Sequence, residues 1–402
     1  MIKIAVLGFG VVGSGVVSLL EKNSGRISQN AGQDIQVKYI LDVREFPDNP
    51  YKSLFASDFE TIISDPEIAV VVEAIGGAGA ALEYTRRSLE NGKNVVTSNK
   101  ELVAEHGGEL MKIAVEKGVN YLFEASVGGG IPVIRPIAQC MTANIITEIY
   151  GILNGTTNYI LTDMEKNGAD FTEALLEAQK KGYAEADPAA DIEGHDTCRK
   201  ICILSSLAFG RHIYPRQVPT EGITNVTIKD ICCAAGLGYE IKLLGRARSV
   251  SEKVSVYVAP HLINKNNLLA VTDGAMNGVV IRGNAVGNVV FCGAGAGKLP
   301  TASAVVADII DAVKHLHARR WIGWVDGDDD WVEDPAKLES AWYIRTGATR
   351  EKIEREFGTV LFATETGKDT AFITNVISGK KVEELLSRGI TALARFRILG
   401  DY

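Results

Sequence analysis

The chain has 402 residues and a formal net charge of −8, and 46% of its residues are hydrophobic and 23% charged. At roughly 150 residues per domain, this length predicts two or three domains. The negative charge argues against a nucleic-acid partner, and the sequence has no run of about 20 apolar residues that would predict a membrane span. The start MIKIAVLGFG favours a cytoplasmic protein, and the six cysteines, which include no CxxC pair, favour reduced thiols.

The first third of the chain alternates short apolar runs with amphipathic stretches. The runs IKIAVLG, IQVKYILDV, AVVVEAIGG and VVTSNK are separated by segments such as VVGSGVVSLLEKN and ALEYTRRSLENGKN. Strands that are apolar on both faces and joined through helices form parallel sheets. We therefore predict a parallel α/β domain over residues 1–135.

A glycine-rich motif lies between the first strand and the first helix of this domain. GFGVVGSG places Gly8, Gly10 and Gly13 in G-x-G-x-x-G order. In this context the glycines allow a tight turn, a close approach to a pyrophosphate and close helix–strand packing, while the helix N-terminus faces the negative charge. The motif predicts a Rossmann domain that binds a dinucleotide.

The end of the second strand bears on the choice between NAD and NADP. An acid at this position binds a ribose 2′-hydroxyl, whereas an arginine accommodates a 2′-phosphate. The strand ends in LDVRE and offers both Asp42 and Arg44. We favour NADP through Arg44 and leave NAD open.

From about residue 140 the βαβ regularity is lost. Longer strands and helices predict an α+β domain over residues 136–300, and a helix within 301–324 that returns to the nucleotide domain. After the acidic linker VDGDDDWVEDPAK, residues 335–402 read as strand, helix, strand, strand, helix and strand. That order is the βαββαβ of ferredoxin-like modules.

The segment GYAEADPAADIEGHDTCRK, residues 182–200, carries five carboxylates, one histidine and a terminal lysine. It could form a divalent-metal site, a cage for a cationic substrate or a solvated acidic face. Zinc and calcium spacings such as HxxxH, CxxC and DxDxDG are absent, which disfavours the metal. If HDTCRKICILSSLAFG is a helix, Asp196 and Lys200 lie on one face and border one pocket, although an ordinary i,i+4 ion pair remains the alternative.

Six stretches, taken in order, resemble the homoserine dehydrogenase family: GFGVVGSGV, SNKELVAEHG, FEASVGGGIPVI, GILNGTTNYIL, GYAEADPAADIEGHDTCRK and GAGAGKLPTAS. They cover about the first 320 residues, and the resemblance implies that the domain over residues 136–300 serves for substrate binding and dimerisation. The family reduces L-aspartate 4-semialdehyde to L-homoserine with NAD(P)H, in threonine, methionine and isoleucine biosynthesis. The alternatives are a dehydrogenase acting on aspartate and a non-catalytic sensor of NAD(P) and amino acids, but neither requires NGTTN or the acid cluster.

The resemblance also implies roles for individual residues. It implies that Lys200 and Lys100 are catalytic, with Lys200 the favoured proton donor and Lys100 its alternative or partner. Glu185 and Asp196 would bind the substrate ammonium, with Asp191 near the lysine. Beyond the motif glycines and Arg44, the implied cofactor contacts are Phe9, Val11, Val12, Ser98, Lys100, Gly182 and Gly297.

Two further expectations come from the resemblance. The loop FEASVGGGI is similar to a monovalent-cation site in which backbone carbonyls hold Na⁺, here at Glu124, Val127, Gly129 and Ile131. Residues 335–402 are similar in element order to the ACT domains that end many family members, but GATREKIEREFG lacks their usual Pro-Gly turn and the segment is short. We therefore expect a homodimer, with higher assembly through this module left open, and at most weak feedback by threonine.

Overall fold

The computed structural model describes residues 1–316, 318, 323–363 and 369–400. The chain forms two compact units, and each is assembled from separate stretches of sequence. The first contains Met1–Ile145, Cys202–Pro215 and Gly293–Asp328, and the second contains Ile146–Ile201, Arg216–Cys292 and Asp329–Tyr402. None of the helices in the described parts is long and apolar enough to cross a membrane.

The first unit is built on a five-stranded parallel sheet. Its strands are β1 (Ile2–Leu7), β2 (Ile35–Leu41), β3 (Ile68–Glu73), β4 (Asn94–Thr97) and β5 (Tyr121–Leu122). They lie in the order β2-β1-β3-β4-β5, and every neighbouring pair is parallel. The helices between them are α1 (Val11–Lys22), α2 (Ser24–Ala31), α3 (Phe59–Ile63), α4 (Gly79–Glu90) and α5 (Lys100–Lys117). This arrangement confirms the predicted parallel α/β fold.

The second unit begins with a long antiparallel sheet covered by helices. Its elements are β6 (Ile146–Ile152), α6 (Gly155–Asn167), α7 (Phe171–Lys180), α8 (Ala189–Ile192), α9 (His195–Phe209), α10 (Ile228–Gly236), β7 (Tyr239–Val250), β8 (Lys253–Asn264), β9 (Met276–Gly283) and β10 (Gly287–Ala294). Of these, α9 and β10 end in stretches that belong to the first unit. The strands follow the order β10-β9-β6-β7-β8. A core that includes Tyr150, Leu244, Ile263 and Val280 forms within this sheet.

The chain then returns to the first unit through α11 (Lys298–Lys314). This helix packs on α1 at a glycine, since a Cβ on Gly15 would lie 2.9 Å from the Lys298 carbonyl oxygen and 3.1 Å from the Ala302 Cβ. Only a residue without a side chain lets the two helices approach this closely. The contact holds α11 against the helix that opens the glycine-rich motif.

The C-terminal segment extends the sheet of the second unit. Its elements are β11 (Glu339–Ser340), β12 (Trp342–Thr346), α12 (Arg350–Phe357), β13 (Leu361–Phe362), β14 (Thr370–Ile373), β15 (Ile377–Ser378), α13 (Gly379–Leu386) and β16 (Ala392–Ile398). Strands β16-β12-β14-β13 are antiparallel, and β16 also pairs in parallel with β8 to give one nine-stranded sheet. The segment therefore shares its backbone ladder with the rest of the unit.

Candidate active site

The turn between β1 and α1 requires glycine at two positions of the motif. Gly8 has a φ of +92°, and a Cβ there would lie 2.6 Å from the Ala74 carbonyl oxygen. A Cβ on Gly13 would lie 1.9 Å from the Gly8 carbonyl oxygen. Gly10 precedes the first turn of α1, and Val11 and Val12 open the helix. A side chain is therefore excluded at Gly8 and at Gly13. The N-terminus of α1, which follows, favours a negatively charged group.

Asp42 and Arg44 form one group at the end of β2. The Asp42 carboxylate accepts hydrogen bonds from the Phe9 N–H at 2.6 Å and from the Arg44 Nε at 2.9 Å. The bond from Arg44 is the main reason that the pKa of Asp42 is lowered to about 2. The Arg44 side chain is 59% exposed and lines a cleft of about 730 Å³ together with Gly8 and Gly10. Asp42 and Arg44, the two residues that the sequence placed at the end of this strand, are therefore paired with each other beside the cleft.

The ends of β3 and β4 hold the segment that contains Ser98 and Lys100. Asn99 caps α5 by accepting from the Leu102 N–H at 3.1 Å, and its amide donates to the carbonyl oxygens of Ile75 and Gly77. Ser98 and Lys100, on either side of Asn99, are half-buried. The Asn99 bonds therefore fix both predicted cofactor residues at the carboxyl edge of the sheet, where doubly wound folds bind their ligands.

Glu73 was not singled out from the sequence, but it lies fully buried at the same edge. Its carboxylate accepts from the Ile75 N–H at 2.6 Å and from the Thr97 hydroxyl. Burial raises the pKa of Glu73 to about 7, against the opposing effect of these hydrogen bonds. A buried acid that ends a parallel strand is the signal that could have identified it.

The second unit gathers Lys200, Asp196 and Asp191 around one asparagine. Lys200, on α9 and 7% exposed, donates to the Leu153 carbonyl oxygen at 2.7 Å and to Asp196 at 2.8 Å. The Asn154 amide donates to Asp191 at 2.7 Å and to Asp196 at 2.9 Å. Burial raises the pKa of Asp191. The expected i,i+4 ion pair exists, and it belongs to a buried polar network.

Asn154 and Asn277 are the members of this network that sequence reasoning missed. The Asn154 side-chain oxygen caps α6 by accepting from the Thr157 N–H at 2.8 Å, so its amide is held towards the two acids. Asn277 donates to the Leu153 carbonyl oxygen at 2.9 Å, the same oxygen that accepts from Lys200. The signal for Asn154 was present in NGTTN, since an asparagine directly before a helix is a preferred N-cap.

Gly182 and Glu185 lie in an exposed segment between α7 and α8. The Glu185 carbonyl oxygen accepts from the Gln179 side chain at 3.0 Å, and the Thr156 hydroxyl donates to the Tyr183 carbonyl oxygen at 2.6 Å. The structure brings the backbone of this segment to α6. It does not bring the Glu185 carboxylate into the hydrogen bonds around Asn154.

The loop FEASVGGGI is buried and tightly folded. The Glu124 carboxylate accepts three backbone N–H groups, from Val133 at 2.7 Å, Ile134 at 2.9 Å and Arg135 at 2.8 Å. Gly129 has a φ of +57°, and a Cβ there would lie 2.4 Å from the Gly295 carbonyl oxygen. The Glu124 side chain is thus committed to the protein backbone.

An acidic residue of α11 completes the surroundings of this loop. Asp308 accepts from the Glu124 N–H at 2.8 Å and forms an ion pair with Arg135, and burial raises the pKa of Asp308 to about 7. Within the described parts of the chain, no three His, Cys, Asp or Glu residues form a group that could hold a metal ion. With Glu124 committed, backbone carbonyls remain as ligands, and such a donor set fits a weakly held monovalent cation better than a divalent one. Gly297, with a φ of +126°, is the N-cap residue of α11.

The first unit has the glycine-rich turn of a dinucleotide-binding domain, and the second has Lys200 buried among carboxylates. Together these features define an NAD(P)-dependent oxidoreductase. Comparison with known proteins identifies the family within this class. The family model for homoserine dehydrogenase matches residues 132–310, and the model for the homoserine dehydrogenase NAD binding domain matches residues 8–124. The chain belongs to the homoserine dehydrogenase family, which confirms the resemblance found in the sequence.

Individual relatives support the same assignment. The homoserine dehydrogenase of Pseudomonas aeruginosa is 45% identical over 86% of this chain and 82% of its own length, and that of Neisseria gonorrhoeae is 43% identical over 79% and 73%. A solved homoserine dehydrogenase from Thiobacillus denitrificans matches with a TM-score of 0.90 at 36% identity, over 99% of this chain and 98% of that one. A hyperthermophilic archaeal homoserine dehydrogenase in complex with NADPH matches with a TM-score of 0.65 at 26% identity, over 77% and 97%. The protein is an oxidoreductase that interconverts L-aspartate 4-semialdehyde and L-homoserine with NAD(P).

Proposed function

We propose that Lys200 gives the proton to the carbonyl oxygen when the aldehyde is reduced. The bound nicotinamide supplies the hydride, so the chain must orient the aldehyde and deliver a proton. An ammonium has three N–H donors, and Lys200 spends two of them on Leu153 and Asp196. The third is the donor assigned to the substrate oxygen. The buried Lys200–Asp196 pair held by Asn154 is the observation that carries this proposal.

Asp196 and Asp191 are proposed to receive the substrate ammonium, with Glu185 contributing from its exposed segment. The raised pKa of Asp191 reflects a buried acid that lacks full charge compensation. A substrate ammonium beside it would favour the ionised form and offset part of that desolvation. Asn154 then acts as a positioning residue, because it donates to both acids.

Lys200→Met is the test. We expect kcat to fall roughly 10²- to 10⁴-fold, the range for loss of a positioned general acid, while NADPH binding measured by fluorescence titration is unchanged. Lys180→Met is the matched control, because the Lys180 side chain is 74% exposed. A near-normal kcat in Lys200→Met together with a large loss in Lys100→Met would instead assign the proton to Lys100.

NADPH is proposed as the preferred cofactor, with Arg44 on its 2′-phosphate and Gly8, Phe9, Gly10, Val11, Val12, Gly13, Ser98, Lys100, Gly182 and Gly297 as the other contacts. Arg44 is exposed to the cleft and already opposes a carboxylate, so a phosphate could replace Asp42 as its partner. Arg44→Gln should raise KM for NADPH by roughly 10- to 100-fold, as expected for a charge-assisted pair, and leave KM for NADH unchanged. Equal effects on both cofactors would remove Arg44 from this role.

Na⁺ is proposed to bind the carbonyl oxygens of Glu124, Val127, Gly129 and Ile131. The committed Glu124 carboxylate and the tight glycine turn support a site made of backbone oxygens. Thermal unfolding in sodium chloride and in tetramethylammonium chloride at equal ionic strength tests the proposal. We expect a higher midpoint in sodium, and identical midpoints would overturn it.

The assembly and regulation are proposed as follows. The chain acts as a cytoplasmic homodimer, and residues 335–402 are an ACT-like module with at most weak response to threonine. The order β12, α12, β13, β14, α13 and β16 within that segment, to which the two-residue strands β11 and β15 are added, supports the ACT-like module. Light scattering should give the mass of two chains. If threonine changes neither activity nor the unfolding midpoint, the module has a structural role only.

A further inference from the structure

The buried cations of the second unit differ in how their charge is compensated. Four of them have a carboxylate partner within 3.0 Å, in the pairs Lys200–Asp196, Lys242–Asp273, Arg246–Glu148 and Arg345–Asp230. Arg397, on β16 and 7% exposed, forms no ion pair with any carboxylate in the described part of the chain. Since a buried charge is unfavourable unless it is paired, Arg397 is the exception that needs an explanation.

The contacts of Arg397 leave one end of its guanidinium unused. The guanidinium lies 4.1 Å from the ring centroid of Trp342 and 5.1 Å from that of Tyr257, and its Nη2 donates to the Pro335 carbonyl oxygen at 2.7 Å. Its Nη1 is buried and has no hydrogen-bond partner among residues 1–316, 318, 323–363 and 369–400. The aromatic faces orient the guanidinium, but none of the described carboxylates lies within ion-pair distance of it.

A cavity of about 280 Å³ opens beside this guanidinium. Much of its wall is apolar, including Pro219, Val258, Pro260 and Phe396. This volume lies just below the roughly 300–1,000 Å³ of pockets for drug-sized ligands, so it suits a small metabolite. A ligand that fits must combine a compact apolar body with one anionic end.

The first turn of α13 lines the same cavity. A Cβ on Gly379 would lie 3.3 Å from the Arg397 Nη2, so glycine keeps this end of the helix open to the guanidinium. The N–H groups of a helix N-terminus favour a negative charge. Arg397 and α13 thus present cationic and partly positive groups to the same space.

Three acids line this cavity, and two of them, Asp334 and Glu383, already have other partners. Asp334 accepts from the Ala336 N–H at 2.9 Å and pairs with Lys380 at 3.6 Å. Glu383 forms an ion pair with Arg395. Glu221 is the third, and burial raises its pKa. None of these three carboxylates forms an ion pair with Arg397 in the described part of the chain, so they do not supply the missing anion.

We propose that this cavity binds a small monocarboxylate with a compact apolar body, whose carboxylate is held by the Arg397 guanidinium and the first turn of α13. The apolar body packs against the proline, valine and phenylalanine side chains of the wall. The site shares no residue with the group around Lys200 and Asn154. It is therefore a second ligand site on the unit that holds the candidate substrate site.

The probe is 3-methylbutanoate, titrated calorimetrically into the full-length protein. We expect saturable binding and a higher thermal-unfolding midpoint, and neither effect with the neutral 3-methylbutanamide. Arg397→Lys keeps the charge but loses the planar fork, and it should weaken binding roughly 10- to 100-fold with kcat and KM unchanged. Arg395→Lys is the matched control, because Arg395 is on the same strand, lines the same cavity and already has Glu383 as its partner.

Several outcomes would overturn the proposal. Equal effects of the carboxylate and the amide on the wild-type protein would do so, and this comparison needs no variant to fold. Equal binding of inorganic phosphate would overturn the assignment to a carboxylate. Loss of probe binding in Lys200→Met would place the probe in the substrate site, whereas retained binding supports the separate site.

Discussion

Replacing Glu73 with glutamine should change how the stability of the protein depends on pH. Glu73 is fully buried, and burial raises its pKa from 4.5 to about 7. Below about pH 4.5 the acid is protonated in both the folded and the unfolded chain, so its ionisation contributes nothing to stability. As the pH rises through the interval to about 7, the unfolded chain ionises first. The free energy of unfolding of the wild-type protein therefore falls across this interval.

The size of the effect follows from the two pKa values. At about 1.36 kcal/mol for each pKa unit, the difference between 4.5 and about 7 corresponds to roughly 3 kcal/mol. A glutamine does not titrate, and its oxygen can still accept from the Ile75 N–H. Relative to the wild type, Glu73→Gln should thus gain up to roughly 3 kcal/mol between about pH 5 and about pH 8.

Urea unfolding of both proteins across this pH range is the assay. The difference between their midpoints should shift in favour of Glu73→Gln as the pH rises. Glu116→Gln, at an exposed position on α5, should run parallel to the wild type. If the curves of Glu73→Gln and wild type are also parallel, Glu73 is ionised in the fold throughout and the reasoning is wrong.

Three further substitutions test the buried polar groups. Glu124→Gln replaces the charged acceptor of three backbone N–H groups, so it should lower the free energy of unfolding by about 2–4 kcal/mol; a change below about 1 kcal/mol in urea unfolding would contradict this. Gly129→Ala should lower the free energy of unfolding by about 2 kcal/mol more than Gly118→Ala does. Both glycines have a positive φ, but of these two only Gly129 faces the Gly295 carbonyl oxygen. Equal thermal midpoints of the two variants would refute this steric argument. Asn154→Ala should reduce kcat/KM for homoserine roughly 10- to 100-fold with NADPH affinity retained, and steady-state kinetics that match the wild type would exclude its positioning role.

Local pattern was sufficient where one short stretch determines the structure. GFGVVGSG lies between β1 and α1 as expected, because the alternation of an apolar strand, glycines and a helix is encoded within about twenty residues. Asp196 and Lys200 lie on one face of α9, because helical periodicity places positions i and i+4 together. These features depend on local geometry alone.

Other features depend on residues far apart in the chain. Asn154, the residue before α6, joins Asp191 and Asp196, and Asp308 reaches the Glu124 loop from α11, at sequence separations that no short pattern records. The commitment of the Glu124 carboxylate to three N–H groups was likewise not visible in FEASVGGGI, where only its carbonyl had been assigned.

The sequence by itself determined the parallel sheet, the dinucleotide turn, the family and the lysine–aspartate pair. Only the tertiary structure decided which of the acids in residues 182–200 are buried, that Glu73 is buried, and that the Arg397 Nη1 has no hydrogen-bond partner among the described residues. The physical reason is that periodicity arises from neighbours along the chain, whereas burial and charge compensation arise from neighbours in space, and these are brought together only when both sheets are formed.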